Sequence, residues 1–430
     1  MLVSLSALLY FCALFKMNPN KNRKQKMTRN YPLAVLLLVL ALFSCDDNEG
    51  LPEVEAPSSY SFERNSQSTV SFSGQTTRIK MAEELNSAFL DFDNTTEALL
   101  LEMFRNDDGQ GGDVSPFEDA DLNSATKSIK SKVAASQDLF AANTTESSQI
   151  KAQFESWIAG QINEIYPNRN QLATAGNAGQ LADGTSTRYV NAKGLEYNQA
   201  FTKSLIGGLM LDQLVNNYLS TAVLDAASNK EDNNAGVLAD GKNYTTMEHK
   251  WDEAYGYLFG NAANTASPLT ELGSSDSYLN KYLGRVEGDA DFAGVAQEVF
   301  DALILGRAAI VAQQYEVRDA QADIIKQKLS EIIAIRAVYY LQQGKIALEN
   351  QQYGTAFHDL SEGFGFIYSL RFTHNPIAGD SFFSREEVDQ MIDDLYGSTN
   401  GFWDVDATTL DAISASIAAK FDFTVAEAGN

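Results

Sequence analysis

Tyr244-Thr-Thr-Met-Glu-His-Lys-Trp-Asp-Glu-Ala-Tyr-Gly-Tyr257 and Tyr353-Gly-Thr-Ala-Phe-His-Asp-Leu-Ser-Glu-Gly-Phe-Gly-Phe366 are one helix written twice. Without a gap, Tyr244, Thr246, His249, Glu253, Tyr255, Gly256 and Tyr257 fall on Tyr353, Thr355, His358, Glu362, Phe364, Gly365 and Phe366. Self-similarity of this kind is a statement about architecture. A spacing of four stacks His249 over Glu253 and His358 over Glu362, each pair on one helical face. Gly256 and Gly365 carry the stripe one turn further, where the missing side chain lets another backbone or a ligand come close. Thr246 and Thr355, three residues before each histidine, suit an N-cap or first-turn position.

Working outward, each copy follows a long helical pattern, residues 192–226 in one case and 319–349 in the other. The pairing predicts two helical halves of related design, about 60–265 and 266–430, related by an approximate two-fold axis. The 3, 4 spacing of a buried helix face also runs through Met81, Leu85, Ala88, Phe89 and Phe92, through Ala98, Leu99 and Met103, and through residues 122–140, 150–165, 292–315, 386–396 and 407–421. Strand-like alternation is scarce, with residues 60–75 reading as a short strand pair or an extended arm. Long helices with short connections favour bundles, so the fold class is all-α, two helical bundles with internal duplication. Polar, glycine-bearing breaks fall at 106–116, 168–187, 228–242 and 264–288. The Asp107–Asp113 run lacks the alternating ligands and closing glutamate of a calcium loop and reads as a plain loop.

Residues 1–44 read as a signal and leader. Two apolar runs, 2–15 and 32–43, flank the basic segment Lys21, Arg23, Lys24, Lys26 and Arg29, the order of a positive n-region and a short h-region. Neither reaches the roughly 18 apolar residues of a membrane-spanning helix. The signal ends Leu42-Phe-Ser-Cys45, which resembles a bacterial lipobox and makes Cys45 the lipidation site. Each acyl chain contributes about 0.8 kcal/mol per buried methylene, a stable anchor in the outer membrane. Asp46 and Asp47 follow at once and resemble a surface-export signal, so the cell surface is the expected location, with a periplasm-facing anchor as the alternative. Residues 45–59, acidic and poor in bulky apolar groups, read as a flexible tether.

Only Cys12 and Cys45 occur, so a mature chain has no disulfide, cysteine metal site or thiol chemistry. The net charge of -25, which omission of the six basic leader residues takes to near -31, repels nucleic acid and concentrates cations. A solvated acidic coat also accounts for it.

Two readings of the His-Glu couples stand side by side. In one, glutamate orients a partly buried histidine and locks a helix crossing, since an unpaired buried polar group costs about 1 to 3 kcal/mol. In the other, His249, Glu253, His358 and Glu362 are ligands for a metal or a metal chelate. Only three histidines exist; the third, His374, lies just past the second motif, placed to cap a helix end or to reach a shared cleft.

The segments beginning at His249 and His358 resemble the helical motifs of a lipoprotein family known as domain of unknown function 4856, and the resemblance covers most of the chain from about residue 60. That family is similar, at a distance, to the imelysins, two-bundle helical proteins outside the cytoplasm linked with iron uptake and once labelled metallopeptidases. The imelysin signature is Gly-x-His-x-x-Glu. Here the third position after the histidine is Asp252 or Ser361, and the glycine is absent. The resemblance implies an imelysin-like fold, iron or another divalent metal as cofactor, a surface receptor or transporter as partner, and a role as an accessory in iron or haem acquisition. A metallopeptidase is the enzyme alternative, although no His-Glu-x-x-His run, Gly-x-Ser-x-Gly elbow or Walker loop occurs. A glycan- or protein-binding lipoprotein is the third: Ala337, Tyr340, Gly344, Ala347, Tyr353 and Ala356 have a tetratricopeptide texture. Trp157, Trp251 and Trp403 suit either a sugar platform or core packing.

Overall fold

Helices make up nearly all of the regular structure in the computed structural model, which describes residues 54–430. The leader, Cys45 and the first part of the tether lie outside the described residues. A short antiparallel hairpin, β1 (Glu63–Arg64) and β2 (Gln67–Ser68), leads into α1 (Ser73–Ala88). After α2 (Glu97–Arg105) and α3 (Thr144–Gly160) comes a second hairpin, β3 (Gly179–Asp183) and β4 (Ser186–Val190). That hairpin leads into α4 (Tyr197–Leu205), which runs on through two π-helical stretches, Ile206–Leu211 and Leu214–Tyr218. The rest is α5 (Thr246–Phe259), α6 (Leu279–Glu287), α7 (Val295–Val311), α8 (Tyr315–Glu349), α9 (Tyr353–Ser369), α10 (Arg385–Tyr396) and α11 (Ala407–Ala418), joined by shorter helical turns. The chain is all-α.

Local chemistry sets the boundaries. Thr245 and Glu248 form a capping box at the start of α5, and Ser384 and Glu387 do the same for α10, satisfying amide groups that a helix start leaves open. Thr96 caps α2, which stops at Asn106 in the left-handed region (φ 55°). Helix α8 is central: Ile325, Leu329, Ile332, Ile333, Val338 and Leu341 are wholly buried, because α6, α7, α9 and α11 all pack on it. Helices from either side of residue 265 share this core, α4 packing on α9 and α5 on α7. Residues 54–430 therefore cluster as one unit. Among the described residues no helix is long and apolar enough to cross a membrane.

Several expectations change in detail, and the breaks at 228–242 and 264–288 each contain a helix, Asn229–Ala235 and α6. Residues 122–140 do not form a helix; only short turns at Ala120–Asn123, Lys130–Lys132 and Gln137–Phe140 appear. Ala134 turns left-handed (φ 45°) and donates to the Gly208 carbonyl, while the Ala135 and Ser136 amides donate to Asp212. Long-range partners thus replace the helical ladder. The polar stretch 168–187 contains most of the second hairpin, turned at Gly184 with φ 57°.

Candidate functional site

The duplicated helices α5 and α9 are held in the same way. In the first copy the Ser71 amide donates to Asp252 (3.1 Å), and Nδ1 of His249 donates to the Ser71 carbonyl (2.9 Å). In the second the Glu196 amide donates to Ser361 (2.9 Å), and Nδ1 of His358 meets the Glu196 carboxylate (3.3 Å). Asp252 and Ser361 occupy the same motif position, and Ser71 and Glu196 each lie just before the helix, α1 or α4, that packs against the motif. Gly256 faces Phe72 and Gln75, and Gly365 faces Lys203 and Ser204, so both glycines admit a neighbouring helix backbone. From that helix a polar side chain then reaches the motif glutamate: Gln75 to Glu253 (3.0 Å), Lys203 to Glu362 (3.5 Å). A hairpin secures each motif start, Arg64 pairing with Glu248 (3.0 Å) and Asp183 accepting from Thr355 (2.6 Å). The repeated unit is therefore a hairpin, the helix after it, and a motif helix supplied from farther along the chain.

The first couple lies nearer the surface, its side chains 27 % and 14 % exposed against 19 % and 8 % in the second. The His249 ring stacks on Tyr244 with centroids 4.7 Å apart, and its Nε2 lies 3.9 Å from Glu253, whose carboxylate also takes Lys250 at 2.8 Å. Burial lowers the His249 pKa, outweighing the pull of Glu253, so the ring is neutral at neutral pH. Beside it Arg307, fully buried, pairs with Asp252 (3.0 Å) and Glu248 (3.1 Å) and donates to Thr69 (3.1 Å). Apart from the 3.9 Å gap between His249 Nε2 and Glu253, these contacts are those of helix packing.

The second couple is more deeply set and lines a cleft. Nε2 of His358 lies 3.5 Å from Glu362, which also accepts from the Tyr282 hydroxyl (3.1 Å). Burial works against the His358 cation, yet the Glu196 and Glu362 carboxylates hold its pKa above the ordinary 6.5. Burial likewise opposes ionisation of Glu362, but Lys203, His358 and Tyr340 hold its pKa down at about 2. The pair faces a cleft of about 770 Å³ lined also by Lys281, Arg285, Asp289, Arg336, Tyr339, Tyr340 and Asp359. That size suits a small ligand. Burial lifts the Asp359 carboxyl to about 7.

The couples share no partner residue, and of the two only His358 and Glu362 line this cleft. His374 joins neither: it is buried, its ring meets the Asn216 side chain (2.8 Å) rather than a helix-end carbonyl, and its amide donates to Ser330 (2.9 Å). Burial, then Lys326, depresses its pKa to about 4. Trp251 is fully buried and donates to the Leu303 carbonyl (2.9 Å), Trp157 is buried, and Trp403 packs edge-on to Phe357, so the three serve the core. Among the described residues no group of three or more His, Cys, Asp or Glu side chains is arranged to hold a metal ion. Glu196, Lys203, Tyr282 and Arg336 went unread in the sequence. Arg336 alone carried a signal, a lone cation inside the apolar run Ile332-Ile-Ala-Ile-Arg-Ala-Val338.

Fold and site together define an all-helical protein built on a doubled helix contact, the second copy of which lines a charged cleft. The chain belongs to the family described as Domain of unknown function (DUF4856), whose model matches residues 57–424. No curated protein and no solved structure matches it.

Proposed function

We propose that the chain is a lipid-anchored surface protein that binds a small iron-bearing ligand, a chelate or haem, in the His358 cleft as an accessory in iron acquisition. The observation that carries this reading is that the second copy of the couple, His358 and Glu362, lies on the wall of a cleft of about 770 Å³ lined by Lys281, Arg285 and Arg336. A chelate suits the cleft better than a bare cation, because Lys203 already occupies Glu362 and Lys281, Arg285 and Arg336 add positive charge. The same argument weighs against the metallopeptidase alternative, which needs three free ligands around one ion. The lipobox-like Cys45 and the imelysin resemblance supply the location and the link to iron.

The test is made in the native bacterium. Abundance of the protein should rise under iron starvation, and a deletion strain should grow poorly when haem or ferric citrate is the sole iron source. Unchanged abundance together with unimpaired growth would discard the iron role.

A further inference from the structure

Five arginines are buried in the described chain: Arg78, Arg307, Arg318, Arg336 and Arg371. Four have acceptors. Arg78 donates to the Ser128 and Gly74 carbonyls, Arg307 pairs with Glu248 and Asp252, Arg318 with Asp225 and Asp319, and Arg371 with Asp389. Arg336 is only 7 % exposed, yet among the described residues no hydrogen-bond acceptor or carboxylate lies within bonding distance of it, and its Nε is buried without a partner. A guanidinium is always charged and carries five N–H donors in its plane. Leaving it unpaired in a chain of net charge -25, where carboxylates abound, is anomalous.

The surroundings of Arg336 point to a ligand. Its Cζ lies 3.9 Å from the Tyr339 ring centroid, 4.7 Å from that of Tyr340 and 5.6 Å from that of Tyr282. These rings offer their faces, which attract the cation but satisfy none of its in-plane donors. The guanidinium lines the cleft, where Lys281 and Arg285 add cations nearer solvent. The acids alongside are otherwise engaged or distant: Glu362 is taken by Lys203, His358 and Tyr282, and neither Asp289, Asp359 nor the Asn430 terminus forms an ion pair with Arg336.

We propose that Arg336, held by its tyrosines, is the anchor of an oxyanion site, and that the cleft takes a small ligand bearing a carboxylate or phosphate group. Fork-like pairing of a planar guanidinium with such a group is the strongest neutral-pH recognition available to it. Lys281 and Arg285 steer the anion in and Arg336 fixes its orientation. The inference rests on the reading of this cleft as a binding site and names the chemistry of its occupant.

Calorimetric titration of the full chain with citrate, ferric citrate, inorganic phosphate and, as a neutral control, glycerol tests it. At least one anion should bind with salt-sensitive affinity and glycerol should not. Arg336→Gln should weaken that binding at least tenfold and Arg336→Lys by less, because a lysine restores charge without the fork. Should Arg336→Gln fold poorly in a thermal melt, the rim variant Lys281→Gln/Arg285→Gln decides instead: weaker binding and a shallower salt dependence support the site. No anion binding by the wild-type chain overturns the inference, as does undiminished binding by Arg336→Gln or by the rim variant. Binding of phosphate alone supports the oxyanion site while removing the iron-chelate reading. Equal binding of citrate and ferric citrate with no response to iron starvation does the same.

Discussion

Gly363→Ala and Gly365→Ala, two residues apart in α9, are expected to move stability in opposite directions. In a helix interior an alanine is favoured over glycine by about 1 kcal/mol. At Gly363 an added Cβ meets Tyr340 Cβ at 3.4 Å and Leu341 Cδ2 at 3.7 Å, ordinary contact, so most of that gain should survive. At Gly365 it overlaps Lys203 Cβ and crowds the Ser204 nitrogen at 3.0 Å and the Lys203 carbonyl carbon at 3.2 Å. Those atoms belong to or adjoin the α4 backbone, so no rotamer change relieves them and the helices must part. Overpacking of this kind costs roughly 1 to 3 kcal/mol, and parting α4 from α9 also draws Lys203 away from Glu362. The net loss should be about 1 to 2 kcal/mol, leaving the two variants about 2 kcal/mol apart. Gly256→Ala, which would overlap Phe72 Cβ and approach Gln75 Cβ at 3.1 Å, should resemble Gly365→Ala. Urea midpoints at constant m-value give the answer. If Gly256→Ala and Gly365→Ala are as stable as the wild type, the duplicated close approach is not what holds the motif helices.

Proton NMR of the three imidazoles should separate the duplicated pair: the His358 ring should titrate above 6.5, His249 below it and His374 near 4, whereas His249 and His358 titrating together would refute their divergence. Because the folded His358 pKa is raised, its stabilisation is full below 6.5 and is lost as pH rises through the folded value; Glu196→Gln should flatten urea midpoints over that range, and an unaltered slope would exclude the Glu196 contact as the cause. For His374 the sign reverses: the folded pKa is depressed, so stability falls as pH drops from 6.5 through about 4. At 1.36 kcal/mol per unit the loss reaches about 3 kcal/mol, and His374→Gln should abolish it in acid unfolding curves. Arg307→Met should cost about 3 to 5 kcal/mol in urea unfolding by stranding Asp252 and Glu248 in the core; a loss under 1 kcal/mol would mean those acids are hydrated.

Sequence periodicity revealed what is local. The His-Glu stacking, the close-approach role of Gly256 and Gly365 and the first-turn place of Thr355 are properties of one helix, so spacing alone displayed them. The partners were hidden because they lie far off along the chain: Ser71 meets Asp252 across 181 residues and Glu196 meets Ser361 across 165. The alternation in residues 60–75 does show the first hairpin, but no pattern there or in residues 192–199 announces that the chain leaving each hairpin ends against a motif helix. The comparison of the copies yields a stronger argument than either copy alone. In the first, a backbone carbonyl holds the histidine, and the glutamate is met by a neutral glutamine from the packed helix and by Lys250 of the motif helix itself. The contact therefore needs no carboxylate on the histidine and no cation from the packed helix, although in both copies a lysine meets the glutamate. Where the second copy has both, Glu196 raises the His358 pKa, and Lys203 fills the Glu362 carboxylate that would otherwise draw in a nearby cation. Arg336 is left without a carboxylate partner beside the cleft, and that unspent charge is the ground on which ligand binding is proposed for the second copy.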